Sequence, residues 1–178
     1  MAKDLIAPHG GTLIDRLVPA DQRDSLLARA ESAPQVTLSA VSLSDVMLIA
    51  MGVVSPLKGF MSQADYEKVV HDMHLTTGEP WTIPIALPVT PETAESLSVG
   101  DDVALMDEAG NLVALLELSD KYSYDKEVEA ENVYRTTEDA HPGVARVYAQ
   151  PDRYLGGDIW VFDLPEPEFP NEFYTPAQ

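Results

Sequence analysis

The 178-residue chain contains no cysteine. Disulfides, zinc–thiolate sites, cysteine-ligated iron–sulfur clusters and a cysteine nucleophile are therefore excluded. Cations are also scarce: 11 Lys and Arg stand against 30 Asp and Glu, a formal charge of −19. The bases are Lys3, Arg16, Arg23, Arg29, Lys58, Lys68, Lys121, Lys126, Arg135, Arg146 and Arg153, and no two are adjacent. No basic stripe exists to neutralise a phosphate backbone, so the charge predicts no nucleic-acid binding. The same field disfavours small anionic substrates unless another domain supplies positive charge. Long apolar runs are missing too. The longest, residues 46–54, falls far short of the ~20 residues that span a bilayer. The opening Met1-Ala2-Lys3-Asp4 carries no apolar signal core, which predicts a cytoplasmic protein with no membrane partner.

What is present suits one globular domain. A chain this long buries roughly 70% of its unfolded surface and needs no covalent staple. The composition shifts at Asp163, where "DLPEPEFPNEFYTPAQ" holds four of the 14 prolines and no base. Residues 1–164 are therefore read as the domain and 165–178 as a proline-rich linker or strap.

Along the domain, a short helix is expected over residues 21–31 with Leu26, Leu27 and Ala30 inward, followed by strand-like alternation at Val36, Leu38 and Ala40. Ser42 and Asp45 make an S-x-x-D start for a buried helix through Val46, Leu48 and Ile49, ending at Gly52. A second S-x-x-D pair, Ser62 and Asp65, is expected to cap another helix, with the Asp65 carboxylate reaching back to the cap. Met61 and Tyr66 have staple spacing around that cap, and Tyr66, Val69, Val70 and Met73 form one apolar face. "WTIPIALPV" alternates Trp81, Ile83, Ile85, Leu87 and Val89, which predicts one strand facing one core. Pro84 and Pro88 then share a lateral side, which requires an unpaired edge or a bulge. A hairpin follows, with strands at 103–106 and 112–118 around a turn at 107–111. Residues 125–135 read as a charged helix carrying Val128 and Val133. His141-Pro142-Gly143 is a turn before a short helix with Val144, Val147 and Tyr148, and Gly156-Gly157 leads into a last strand, 159–162. Strands and helices do not alternate regularly, so the expected class is α+β with a closed or half-closed β core.

The familiar chemical motifs fail individually. No G-x-x-x-x-G-K-[ST], G-x-G-x-x-G or G-x-S-x-G occurs. His9-Gly10-Gly11 reads as a turn. His71 lies opposite the Tyr66/Val69 face and His74 beyond it, so both read as solvated histidines instead of metal ligands. The pairs Asp101-Asp102 and Asp107-Glu108 flank turns and lack the apolar context that raises a carboxyl for acid–base work. Trp81 and Trp160 read as core. No catalytic, cofactor-binding or metal-binding residue is assigned.

Several of these stretches, read together, resemble the N-terminal domain of the ATP sulfurylase (sulfate adenylyltransferase) family. They are Pro8-His9-Gly10-Gly11; Ser55-Pro56-Leu57-Lys58-Gly59-Phe60-Met61 with Asp65-Tyr66; Gly78, Trp81, Pro84 and Ile85; and Gly100-Asp101. The similarity continues through Lys126, Glu129 and Ala130, then Tyr134, Thr137, Asp139, His141-Pro142-Gly143-Val144 and Tyr154-Leu155-Gly156-Gly157. It runs from about residue 5 to 176. The resemblance implies a β-rich PUA-like pseudo-barrel with several short helices, preceding a separate catalytic domain. It also implies a whole enzyme, a homo-oligomer, that joins sulfate to the α-phosphate of MgATP. The family's Gln-x-Arg-Asn-Pro-x-His-x-x-His ligand stretch does not occur here. This chain alone is therefore expected to bind no cofactor and to be inactive, with its catalytic domain as partner and the 55–61 loop as a packing and interdomain element. The chain stops at about the point where the family's linker hands over to catalysis. Two other readings stand beside this one: a PUA-like nucleic-acid-binding module, which the charge opposes, and a free-standing acidic protein-interaction domain.

Overall fold

The computed structural model describes residues 6–165 and 169–178. The opening Met1–Asp4 reading and residues 166–168 of the expected strap lie outside the described residues. Six strands, β1 (Gln35–Thr37), β2 (Gly59–Phe60), β3 (Leu87–Val89), β4 (Asp102–Met106), β5 (Leu112–Ser123) and β6 (Arg153–Val161), form one mixed sheet in the order β1-β4-β5-β6-β2, with β3 also pairing β6, and several short helices accompany it, an α+β arrangement. The chain divides into two compact units.

The first unit comprises residues 1–59, 102–116 and 159–178. Helix α1, Arg23–Ser32, buries Leu26 and Ala30, one turn apart, among Ala104, Leu115 and Phe162. Its Arg29 forks onto Asp102 at 2.6 and 2.8 Å, a half-exposed pair of modest worth. Strand β1, Gln35–Thr37, has one inward residue, Val36, and runs parallel to β4, Asp102–Met106. Helix α2, Ala40–Ala50, buries Val46 and Ile49 and stops at Gly52, whose φ of 77° continues no helix. Strand β2 is Gly59–Phe60. The β4–β5 turn closes through Asp107, whose carboxylate accepts the Asn111 N–H at 2.7 Å. Strand β5, Leu112–Ser123, begins with four consecutive buried residues after Leu112, as a strand covered on both faces requires.

The second unit comprises residues 60–101 and 117–158. Helix α3, Gln63–Asp72, is capped by Ser62, whose Oγ accepts the Asp65 N–H at 3.3 Å, and buries Tyr66, Val69 and Val70. Strand β3 is Leu87–Val89 and helix α4 Pro91–Ser96. Helix α5, Lys126–Glu129, widens into a π-helical turn, Ala130–Tyr134. Helix α6, Pro142–Ala149, precedes strand β6, Arg153–Val161.

The structure corrects four expectations. The cap of α2 is Ser39, accepting the Ser42 N–H at 3.1 Å, not Ser42. An equivalent serine three residues earlier captures the helix start, which leaves Ala40 exposed at its first position instead of inward on a strand. The Asp65 carboxylate does reach back to the cap of α3, its Oδ2 accepting the Ser62 hydroxyl at 3.4 Å, while its Oδ1 takes the Thr76 N–H and hydroxyl at 2.9 and 2.6 Å. Met73 is not a helical core residue but the left-handed C-cap, φ 55°, and half-buried. Of residues 81–89 only 87–89 form a strand, and Ile83 is 51% exposed. The rest is tied locally: the Trp81 N–H donates to the Met73 carbonyl and its indole to Ile83, both at 2.8 Å. Finally, Val128 and Val133 are only half-buried, while Glu129 and Ala130 are inward. The proline argument fares better at Pro88. It lies on β3, which has β6 on one side and no other strand among the described residues, where a missing N–H removes no ladder bond.

Candidate functional site

The residues weighed on sequence grounds fall at separate places in the two units. In the first unit, Gly10 packs so close to Pro56 that a Cβ there would lie 2.8 Å from the proline Cβ, and Gly11 N–H closes a turn onto the Pro8 carbonyl at 2.8 Å. The Ser55 hydroxyl is buried, donating to the Gly52 carbonyl at 2.6 Å and accepting the Ile14 N–H at 3.0 Å. Lys58 is exposed, and its carbonyl accepts the Ile159 N–H at 3.0 Å. The arm and the 55–58 loop thus form one packed corner. Trp160 is half-buried beneath the Arg16 guanidinium, 3.8 Å from its ring centre. Trp81 is likewise half-buried, so neither tryptophan is the fully buried core residue expected.

In the second unit, His71 and His74 are both exposed. His141 caps α6, its Nδ1 accepting the Gly143 N–H at 3.1 Å. Asp101 accepts the Ser98 N–H at 2.7 Å. Among the described residues no group of three His, Asp or Glu side chains is placed to hold a metal.

The site that sequence reasoning missed is a buried carboxyl. Glu129, at the end of α5, is 4% exposed. Its Oε2 lies in hydrogen-bond contact with the Tyr66 hydroxyl of α3 at 2.8 Å and the Tyr154 hydroxyl of β6 at 3.1 Å. Tyr122 of β5 and Tyr124 just beyond its end complete the surround: Tyr124 stacks on Tyr154 with centroids 3.8 Å apart, and Tyr66 meets Tyr122 at 5.5 Å. The Tyr122 hydroxyl donates to the Met61 carbonyl at 3.0 Å. Burial pushes Glu129 above the usual glutamate range, against the opposing pull of the two tyrosine hydrogen bonds. It also raises Tyr66, Tyr122, Tyr124 and Tyr154 well beyond an ordinary tyrosine, so all four keep their protons. The sequence signal existed only in part. Val128 and Val133 looked like the inward stripe of this helix, whereas Glu129 and Ala130 turn inward.

A different feature marks the first unit. A groove of about 430 Å³ is walled by Leu43 and Met47 of α2, Leu112 and Val113 of β5, and Leu164 and Pro165. Asp107, Asn111 and Asp163 also line it. Its walls thus combine apolar side chains with the two carboxylates of Asp107 and Asp163.

The family model described as "PUA-like domain" matches residues 6–164. The chain belongs to the PUA-like domain family. Over 176 residues this PUA-like domain is 49% identical to the sulfate adenylyltransferase of Acaryochloris marina, covering 98% of the chain and 45% of that relative. With the sulfate adenylyltransferase of Synechococcus elongatus it shares 52% identity over 167 residues, 93% of the chain and 42% of the relative. The PUA-like domain thus spans less than half the length of the curated relatives it matches. Among solved structures it is similar to a hexameric APS kinase from Thiobacillus denitrificans, with a TM-score of 0.74 and 27% identity over 97% of this chain and 30% of the other. The resemblance to sulfate adenylyltransferases extends along nearly the whole chain, and the α+β fold agrees with it.

Proposed function

We propose that this PUA-like domain is the non-catalytic N-terminal part of a sulfate adenylyltransferase, the enzyme that converts ATP and sulfate to adenylyl sulfate and pyrophosphate. One observation carries the reading: 49% identity along 98% of the chain, against 45% of the Acaryochloris marina relative. On this reading adenylyl transfer and MgATP binding belong to the remaining portion of such an enzyme. The domain's part is structural, shaping or shielding the catalytic cleft through interdomain contact. The packed corner of residues 8–11 and 55–58 and the groove beside Leu164 are the surfaces we assign to that contact. The whole enzyme is a cytoplasmic homo-oligomer on this reading, and the excess of 30 acids over 11 bases argues against nucleic acid as a partner. Among the described residues no helix is long and apolar enough to cross a membrane.

Pyrophosphate release from ATP and sulfate tests the assignment. The 178-residue chain alone should release none, whereas a polypeptide in which this chain replaces the matching part of the Acaryochloris marina enzyme should turn over. Release by the chain alone above a heat-killed control would overturn the non-catalytic role. A folded but inactive chimera would overturn the enzyme assignment.

A further inference from the structure

The contacts around Glu129 pose a proton-counting problem. Glu129 Oε2 lies 2.8 Å from the Tyr66 hydroxyl and 3.1 Å from the Tyr154 hydroxyl, and the Tyr154 hydroxyl lies 3.0 Å from Gln150 Oε1. Each of these three oxygen–oxygen contacts needs one hydrogen. Tyr66 and Tyr154 bring one each, while an ionised Glu129 and the Gln150 carbonyl oxygen bring none. A protonated Glu129 supplies the third. Tyr66 donates to Glu129, Glu129 donates to Tyr154, and Tyr154 donates to Gln150.

The surrounding charges favour the same state. Tyr66 packs beside the carboxyl from α3, Tyr122 from β5, Tyr124 from the residue after β5, and Tyr154 from β6. Tyr134, in the π-helical turn, feels both Glu129 and Arg146 of α6. Asp65, Glu67 and Asp120 act on Tyr122, and Asp152 on Tyr124, so the nearby acids add negative potential. Among the described residues no cation pairs with Glu129. Lys126, three residues before it, is held by Asp152 at 2.7 Å and by the carbonyls of Tyr148 and Gln150.

We propose that Glu129 is a proton-binding site that locks the second unit, holding α3, β5, β6 and the π-helical turn together only while it carries its proton. Ionisation would leave a buried charge with hydroxyl donors on a single oxygen, which is costly. The element placed to yield is the π-helical turn directly after Glu129, since irregular helical turns of this kind break the regular ladder and concentrate at functional sites. The sign follows from burial, which raises the folded-state pKa above the ordinary glutamate value of 4.5. The stabilisation is fully present below that value and is lost as pH rises through the folded-state pKa.

Infrared spectroscopy of the 178-residue chain at neutral pH should show a protonated-carboxyl C=O stretch that disappears in Glu129→Gln. Urea unfolding across pH should show the wild-type folding constant, relative to Glu129→Gln, falling about tenfold per pH unit above the ordinary glutamate value until Glu129 ionises in the fold. If Glu129→Gln does not fold, ¹³C NMR of the wild-type glutamate carboxyls decides alone: one resonance should titrate well above the others. A missing carboxyl stretch, parallel pH profiles, or glutamates that all titrate in the ordinary range would overturn the proposal. The first result would mean that the Gln150 amide is reversed and supplies the third hydrogen.

Discussion

Adding one methyl group at Gly156 should be among the most damaging small changes in the second unit. A Cβ built there lies 2.5 Å from the Met61 carbonyl oxygen and 3.1 Å from both the Met61 carbonyl carbon and Ser62 Cα. All three atoms are backbone and cannot swing aside. The Met61 oxygen also accepts the Tyr122 hydroxyl at 3.0 Å, and Ser62 caps α3, so displacing this segment strains a hydrogen bond and a helix start together. Overpacking costs about 1–3 kcal/mol, and immobile neighbours place Gly156→Ala at the upper end. The strained hydrogen bond adds up to about 1 kcal/mol. Removing glycine's unfolded-state freedom returns about 0.4–1 kcal/mol. The net expectation is a loss of about 3 kcal/mol, or roughly 6–12 °C in Tm for a chain of this size. The control is Gly143→Ala, whose Cβ would have its three nearest neighbours all in the Tyr134 ring, the first at 2.4 Å. That half-buried side chain can rotate, and alanine favours the first turn of α6, so this variant should stay within about 1 kcal/mol of wild type. Urea denaturation with unchanged m-values reads both. Equal losses in the two variants, or a Gly156→Ala midpoint matching wild type, would refute the distinction between backbone and side-chain obstruction.

Other outcomes test other parts of the argument. Ser62→Ala should cost about 1 kcal/mol through loss of the α3 cap, and Val70→Ala about 1–3 kcal/mol through the cavity it leaves; matched denaturation curves would show both. Lys58→Ala should change the stability of this chain by less than about 0.5 kcal/mol while weakening activity or docking in the reconstituted enzyme. A large stability loss at Lys58 with Val70→Ala silent would mean that the wrong surface has been placed inward. Labelled RNA titrated at low salt, the most permissive condition, should show no binding; micromolar affinity would refute the charge argument.

What could be read from the sequence was local and periodic. The α3 cap and its Tyr66/Val69/Val70 face, the 107–111 hairpin turn and the Leu26/Ala30 face of α1 all follow from rules acting within a few residues, and each is present. Failures arose where distant partners decide. The alternation of residues 81–89 resembles a strand, but a strand needs a neighbour, and only Leu87–Val89 meets β6. The S-x-x-D spacing pointed to Ser42 as the cap of α2, whereas the fold uses Ser39. Glu129 was the hardest case. A glutamate in a charged helix reads as solvated, and nothing local announces that Tyr66 and Tyr154, from two other elements, close over it.

The distribution of cations bears on what a domain with a charge of −19 can contribute to an enzyme that handles anions. The described bases are largely engaged within the fold. Arg16 donates to the Ile159 carbonyl, Arg23 to Asp163 and the Phe162 carbonyl, and Arg29 to Asp102. Lys68 pairs with Asp72, Lys121 donates to the Ala94 and Leu97 carbonyls, and Lys126 holds Asp152. Cations spent on carbonyls and carboxylates are poorly placed to gather sulfate or a triphosphate. The acid surface they leave would repel such ions, but only within about 8 Å at physiological ionic strength. The charge distribution therefore argues against electrostatic steering of anions by this domain, and repulsion matters only where its surface comes within that range of a bound anion. The reading proposed above assigns the domain a role through shape and contact. Its effect should accordingly be sensitive to substitutions in the 55–58 corner and in the Leu43/Met47 groove, and nearly insensitive to salt.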